Sequence, residues 1–439
     1  MFKYYLGLAL LSLKRNIVLT TLTIAAIGVG IGASMTVFTV LRAMSSDPIP
    51  EKSSELFVPQ IDNWTPEDLN ESPSLAGGLL DQLSYRDAMA LMRAHRGVRQ
   101  TAMYGVSFTV MPTIPGARPF TATGRAVYAD FFPMFDVPFR SGSAWTAAAD
   151  AGRANVVVVS AKLADKLFAG GRAVGRTIDL DRREYRIVGV LKPWDPQPRF
   201  YDVSDGSFSE PEDIFLPFST AIDRQMAFYG DNNCDAEPAP GWMGHLNSEC
   251  VWTQFWVELP TAATARSYRR YLYNYAAEQR STGRFHWAPK VGLQNVRQWL
   301  VSERVVPDEM RVSTLVAFGF LLVCLVNSIG LMLAKFSSRA GELGVRRALG
   351  ASKTDIFTQC LVETAVIGAL GGIVGLGLTV VGLGVERTIL SEDAARLAHL
   401  NSGMAFMTFG LAVFATVCSG LYPTWRASRV QPAWQLKAQ

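Results

Sequence analysis

Charged side chains are scarce in this sequence. Asp, Glu, Lys and Arg make up 18% of its 439 residues, where soluble domains carry about 25%. With 49% apolar residues, that excludes an ordinary soluble globular chain. The charge present is still too much for a chain lying wholly in a membrane, so a mixed protein is expected, with several spans and one sizeable aqueous domain. Histidine is scarcer still: His95, His245, His286 and His399 are scattered without a common partner. No H-E-x-x-H string occurs, so a metalloprotease-type zinc site is excluded. No G-x-x-x-x-G-K-[ST] phosphate loop occurs either; the nearest string, Gly350 to Thr354, lacks both the spacing and a preceding strand. A G-x-S-x-G nucleophile elbow is also missing. The acidic pair Glu210 and Glu212 falls in a polar stretch and is expected on the solvated surface. No catalytic residue, no metal site and no enzyme activity are therefore expected here, and any work would draw its energy from a partner. A net charge of +4, with the basic residues beside apolar runs, gives no support to nucleic-acid binding.

The five cysteines divide by surroundings. Cys324, Cys360 and Cys418 sit in or beside apolar runs, where cysteine behaves as a small hydrophobe. Cys234 and Cys250 lie in the polar middle of the chain with Pro238, Pro240 and Gly241 between them. If that middle is outside the cytoplasm, a loop-closing disulfide is expected. His245 between two lone cysteines lacks zinc-ligand spacing.

What the sequence does have is four long apolar runs. Ahead of them lie residues 1–16, with Phe2, Tyr5, Leu6, Ala9, Leu10 and Leu13 at helical spacing and Lys3, Lys14 and Arg15 flanking them. This is the pattern of an interfacial helix along the inner leaflet. Residues 17–44 hold an uncharged run from Ile17 to Leu41, longer than the ~7–15 residues of a signal-peptide core. We take it as a retained span. Three further spans are expected at 312–334, 361–385 and 404–424. Glu363, in the first turn of the third span, is expected to reach the interface rather than lie in hydrocarbon. The glycines of that span give it a small-residue packing face.

Lys and Arg near the span ends set the orientation. They concentrate at the N-terminus, in the 335–360 segment (Lys335, Arg339, Arg346, Arg347, Lys353) and in the 425–439 tail (Arg426, Arg429, Lys437). The 386–403 loop sets Arg387 and Arg396 against Glu386, Glu392 and Asp393. Both termini and the 335–360 segment are thus expected in the cytoplasm, with 45–311 and 386–403 outside. The 45–311 segment carries mixed α/β patterns. Ser84–Arg93, Lys162–Phe168 and Ala262–Gln279 are helical. Thr101–Met111, Asn155–Ser160, Thr177–Leu180, Tyr185–Leu191 and Thr253–Leu259 are strand-like. Two subdomains are expected, the first completed when the chain returns.

The segment from Lys335 to Glu363 predicts two helices with a break. Glu342 and Arg346 are four apart in the favourable order, Gly350 stops the first helix, and Ser352 with Asp355 makes a capping-box pattern for the second. Its sequence ELGVRRALGAS, Glu342 to Ser352, is followed by Gln359, Leu361 and Glu363 and later by Tyr422, Pro423, Ala427 and Pro432. VVVVSAKLADKLF and GRTIDLDRREYRIVGVL lie in the outer segment.

With these motifs in this order, the chain resembles the permease subunits of MacB/FtsX-type, or type VII, ABC transporters. The resemblance implies an α-helical membrane protein with four transmembrane helices. A large mixed α/β periplasmic domain would lie between spans 1 and 2, porter-like at 48–125 and 251–311 and Sabre-like at 126–250. It implies a bacterial inner-membrane location and a coupling surface around Glu342, Gly344, Arg346, Arg347, Gly350 and Ser352. Its partners would be an ABC ATPase subunit holding the ATP and Mg, a second permease in a homo- or heterodimer, and the lipid bilayer. A periplasmic adaptor and an outer-membrane channel are further candidates. Family members often carry the ATPase ahead of the first span; this chain begins at the interfacial helix, so a separate ATPase is expected. The function implied is mechanotransmission driving export from the periplasm. Regulation of a cell-wall hydrolase, as in FtsX-like members, and lipoprotein extraction are the alternatives.

Overall fold

The computed structural model describes residues 2–62, 64, 79–112, 118–288, 290–389 and 402–429. The basic tail beyond Arg429, with Pro432 and Lys437, lies outside them, as do Glu392, Asp393, Arg396 and His399. The chain divides into two compact units, one from residues 1–45 and 306–439 and the other from residues 46–305.

The first unit begins with α1 (Phe2–Arg15), whose Ala9 and Ser12 are buried while Tyr4, Leu10 and Leu11 remain exposed. It continues directly into α2 (Ile17–Met44).

The second unit is built on one sheet. In chain order its elements are β1 (Leu56–Ile61), β2 (Leu83–Ser84), α3 (Tyr85–Ala94), β3 (Gln100–Met111), β4 (Phe120–Val127), α4 (Phe131–Met134), β5 (Phe139–Gly142) and α5 (Ala147–Ala151). They continue with β6 (Val156–Val159), α6 (Ala161–Phe168), β7 (Thr177–Leu180), β8 (Arg183–Leu191), β9 (Ile214–Pro217), α7 (Phe218–Asp223), α8 (Trp242–Leu246), β10 (Val251–Glu258), α9 (Ala262–Ser281), β11 (Val291–Asn295) and α10 (Val296–Ser302). The main strand order is β11-β1-β10-β3-β4-β9-β6-β8-β5, with β2 on β10 and β7 bridging β3 and β8. The returning strand β10 lies between β1 and β3, so the late segment completes the sheet begun by the early one. The path passes into the 126–250 segment through the parallel pair β4 and β9.

Alternation explains why both faces are covered. Successive strand side chains point to opposite faces. In β6, Val157 and Val159 join one core while Val156 and Val158 join the other. In β9, Ile214 and Leu216 face the first core and Phe215 the second. Helices α3, α6, α7 and α9 supply the first core, and α4 and α10 the second, which is rich in aromatics from Phe131 to Trp299. Between β7 and β8 the chain turns at Asp181 and Arg182, both left-handed (φ 52° and 63°), as a tight two-residue hairpin requires. Asp181 steadies the turn by accepting the Thr109 N–H at 2.9 Å. Cys234 and Cys250 are joined by a disulfide.

The surface expectation for Glu212 is overturned. Glu212 is 3% exposed, ion-paired to Arg125 at 2.6 Å and Arg199 at 3.4 Å, and it accepts the Tyr201 hydroxyl at 2.8 Å. Arg125, itself buried in β4, also pairs with Asp202. Glu210 does lie outside, bonded to Lys162 at 3.0 Å. A polar loop sequence does not reveal that the loop folds back over a strand carrying an arginine. A charge taken out of water must be paired on the spot.

The chain then returns to the first unit. It adds α11 (Asp308–Ser337), α12 (Ala340–Ala348), α13 (Lys353–Ile389) and α14 (Ser402–Ser428). Among the described residues, four helices (α2, α11, α13 and α14) are long and apolar enough to cross a membrane. Helix α2 packs against α11 and α13, and α13 against α14. Glycine makes the α2–α13 contact close. A Cβ at Gly28 would fall 2.7 Å from Val374, and one at Gly32 2.6 Å from Leu378. Conversely, Cβ atoms at Gly371 and Gly375 would fall 2.8 and 2.9 Å from Ile27 and Ile31. Such close backbone approach is how spans associate without a hydrophobic driving force.

Two outcomes are expected for the buried network. Arg125→Met leaves Glu212 and Asp202 sharing Arg199 as their one remaining cation and should cost ~3–5 kcal/mol, read by thermal unfolding of the full chain. Burial pushes the Glu212 carboxyl up, but Arg125, Arg199 and Tyr201 outweigh it and hold it at about 2. Since that lies below its ordinary 4.5, ionised Glu212 contributes fully above pH 4.5, and the contribution is lost as pH falls toward 2. Glu212→Gln should lower the unfolding temperature at neutral pH and flatten its decline across that window.

Candidate functional site

Local sequence accounts for the joint between α11 and α13. Gly350 has φ +103°. This left-handed residue lets its N–H reach the Arg347 carbonyl (3.2 Å) and the Ala351 N–H reach that of Arg346 (3.1 Å), the two bonds of a Schellman stop. The next helix then starts on a capping box. Ser352 Oγ accepts the Asp355 N–H at 3.1 Å, and Asp355 Oδ2 accepts the Ser352 N–H at 3.1 Å. The two helices predicted for this stretch are α12 and α13, and α13 runs on unbroken into the membrane-length segment.

Around this joint two carboxylates gather four cations. Glu342 holds Arg15 (3.0 Å), Arg339 (3.3 Å) and Arg346 (3.0 Å). Glu363 holds Lys335 (2.8 Å) and Arg339 (3.0 Å). Ser12 of α1 bonds both Glu363 and Arg339, and Arg346 donates to Gln359 Oε1 at 3.1 Å. Two more bonds tie α1 and the residue that follows it to the joint: Tyr5 to Asp355 at 3.2 Å and Asn16 to Ser338 at 3.1 Å. Burial disfavours the charge on Arg339, but Glu363 and Glu342 outweigh it and raise its pKa. Burial likewise pushes the Glu342 carboxyl up, and Arg339, Arg346 and Arg15 together hold it below its ordinary range.

Glu363, expected to reach the interface, is enclosed by protein side chains. It is 1% exposed, with Lys335 at 0% and Arg339 at 9%. Its helix begins at Lys353, well before the apolar run, and its neighbours bring the counter-charges inward. Snorkelling is unnecessary when the partners come to the carboxylate. Of the residues singled out from sequence, Glu342 and Arg346 belong to this network. Gly344 is buried on α12, Arg347 is half-buried, and Gly350 and Ser352 are exposed at the break. Beside them Val345 (53% exposed) and Leu349 (84%) present an apolar tip. Ser12 was invisible to sequence reasoning. Glu363 could have been suspected, because an ionisable residue inside an apolar run calls for a named partner.

Four membrane-length helices, a large α/β insert after the first of them and a charged elbow between the next two define a multi-span permease architecture. The chain belongs to the MacB/FtsX-type ABC transporter permeases: residues 20–269 match the MacB-like periplasmic core domain and residues 314–432 the FtsX-like permease C-terminal region. It is 24% identical over 448 residues to the macrolide export ATP-binding/permease protein MacB of Bradyrhizobium diazoefficiens, covering 100% of this chain and 61% of that one. It is 26% identical over 311 residues to the pyoverdine export ATP-binding/permease protein PvdT of Pseudomonas fluorescens, covering 71% and 42%. A third relative is MacB of Bdellovibrio bacteriovorus, 24% identical over 288 residues, covering 65% and 39%. The chain thus spans between 39% and 61% of the length of these relatives and matches their permease part. The crystal structure of the periplasmic region of MacB from Actinobacillus actinomycetemcomitans overlays with TM-score 0.36 at 14% identity, covering 56% of this chain and 92% of that one.

Glu363→Leu leaves Lys335 and Arg339 buried without their shared counter-ion. It should cost ~3–5 kcal/mol, measured by thermal unfolding of the full chain in detergent. Adding Lys335→Met should recover part of that loss, because one uncompensated cation is removed.

Proposed function

We propose that this chain is the non-catalytic membrane subunit of an ABC transporter, moved by ATP hydrolysis in an ATPase subunit that holds the ATP and Mg. The single observation that carries this is the elbow: an exposed apolar tip at Val345 and Leu349, fixed through Glu342, Arg339 and Glu363 to three other helices. A force on that tip displaces α1, the end of α11 and the start of α13 together. Helices α2 and α11 lead into and out of the α/β domain, so their displacement is the route by which the domain moves without cargo passing through the spans. The coupling surface comprises Glu342, Gly344, Arg346, Arg347, Gly350 and Ser352, with Leu349 as its contact knob.

The distribution of Lys and Arg supports cytoplasmic termini and a cytoplasmic elbow, with the α/β domain in the periplasm. Relatives named for export of macrolides and of pyoverdine support export from the periplasm as the task. A second permease, either a copy of this chain or a different one, completes the transporter. An adaptor and an outer-membrane channel would extend the route outward.

Gentle detergent purification of the tagged chain followed by mass spectrometry should recover an ATPase bearing a phosphate loop. Leu349→Asp should lose it. Arg346→Glu and Gly350→Pro should leave the protein in the membrane but uncouple hydrolysis from transport. Recovery of no ATPase with the wild-type chain, or equal recovery with Leu349→Asp, would contradict the proposal.

A further inference from the structure

The α/β domain contains a cavity of about 400 Å³ that the elbow mechanism does not use. That volume falls within the range that takes a small organic ligand. Its lining includes Tyr85, Met89, Tyr128, Phe218 and Trp242. The rings are aligned rather than scattered. Tyr85 lies parallel to Phe218 (interplanar 6°, centroids 6.3 Å) and to Trp252 behind the lining (7°, 6.2 Å). Tyr128 stacks on Phe218 at 5.3 Å. Phe218 is buried beneath its neighbours, so the half-buried rings of Tyr85, Tyr128 and Trp242 supply the aromatic surface left for a guest, and Met89 adds an adaptable wall.

The opposite wall has a different origin. Trp242 and Met243 belong to α8, which lies inside the loop closed by Cys234 and Cys250. Trp242 Nε1 donates to the Ile222 carbonyl at 3.2 Å, which fixes the ring. The charged residues of the lining, Arg153 and Asp223, pair with each other at 2.5 Å. Together they carry no net charge, so the lining has no excess of either sign.

We propose that this cavity binds a neutral, flat aromatic small molecule, and that the Cys234–Cys250 disulfide holds its α8 wall in place. The occupant follows from the lining: the half-buried rings of Tyr85, Tyr128 and Trp242 favour an aromatic body, and Arg153 and Asp223 together leave no excess charge to favour an ionic one. The assignment does not depend on the transport reading.

The test uses the full chain in lipid nanodiscs with a neutral naphthyl diazirine probe, illuminated and mapped by peptide mass spectrometry. Labelling should saturate, concentrate on residues 85–89 and 242–247, and be displaced by excess unlabelled naphthalene. It should fall at least tenfold in Trp242→Ala and after reduction with dithiothreitol. Met243 is 65% exposed, so Met243→Glu places a charge in the slot without disturbing the core and should give the same fall. Tyr273→Ala, an exposed aromatic on α9, should change nothing. Labelling confined to the membrane helices, labelling that does not saturate, or labelling that survives both Trp242→Ala and Met243→Glu would overturn the site. Labelling that survives reduction would overturn the role of the disulfide.

Discussion

Glu363 is the constraint on which the membrane unit depends. A carboxylate buried inside a membrane-length helix must be neutralised on the spot, since an uncompensated charge in low dielectric costs several kcal/mol. The counter-charges come from two other stretches, Lys335 at the end of α11 and Arg339 before α12, while Ser12 of α1 supplies a hydroxyl. Meeting at one carboxylate fixes the positions of all of these elements. The elbow is therefore a joint with a defined orientation rather than a loop between spans, with Glu342 and Arg346 of α12 paired to each other and Val345 and Leu349 left exposed.

The same unit is held further along by contact of a different kind. Glycines on α2 and α13 let the two helices approach until side chains of one sit over the backbone of the other. Charge pairing at one end and close packing along the spans act on the same helix, α13. On the proposed mechanism, a displacement applied at the elbow would pass along α13 to α2 through packed side chains, since interiors are dense and poorly compressible. The α/β domain has its own version of the buried-charge device in Arg125 and Glu212, which pin the 199–212 loop across the sheet.

What was legible in the sequence was local. The Gly350 stop and the Ser352–Asp355 cap are fixed within three to five residues of chain, and both appear as bonds. The strand at Asn155–Ser160 was legible for the same reason, as were the apolar runs. Contacts across long separations were not. Ser12 and Glu363 lie 351 residues apart, and no periodicity in either segment points to the other. Arg125 sits in a strand whose two faces are both covered, so alternation cannot tell an inward arginine from an outward one. The family resemblance pointed to the Gln359–Leu361–Glu363 motif without saying that its glutamate would be buried against Lys335 and Arg339. The aromatic cavity was missed because its walls come from α3, α7 and the disulfide loop, each unremarkable by itself.

If Glu363 joins α1 to the elbow, the two move as one body. The most direct measurement is the distance distribution between spin labels on Tyr4→Cys and Leu349→Cys, both exposed positions, in a background with the exposed Cys418 replaced. On this account the distribution should be narrow, stay unchanged when the proposed ATPase partner is added with a non-hydrolysable ATP analogue, and broaden in Glu363→Gln. A broad distribution in the wild-type chain, or one indifferent to Glu363→Gln, would contradict it.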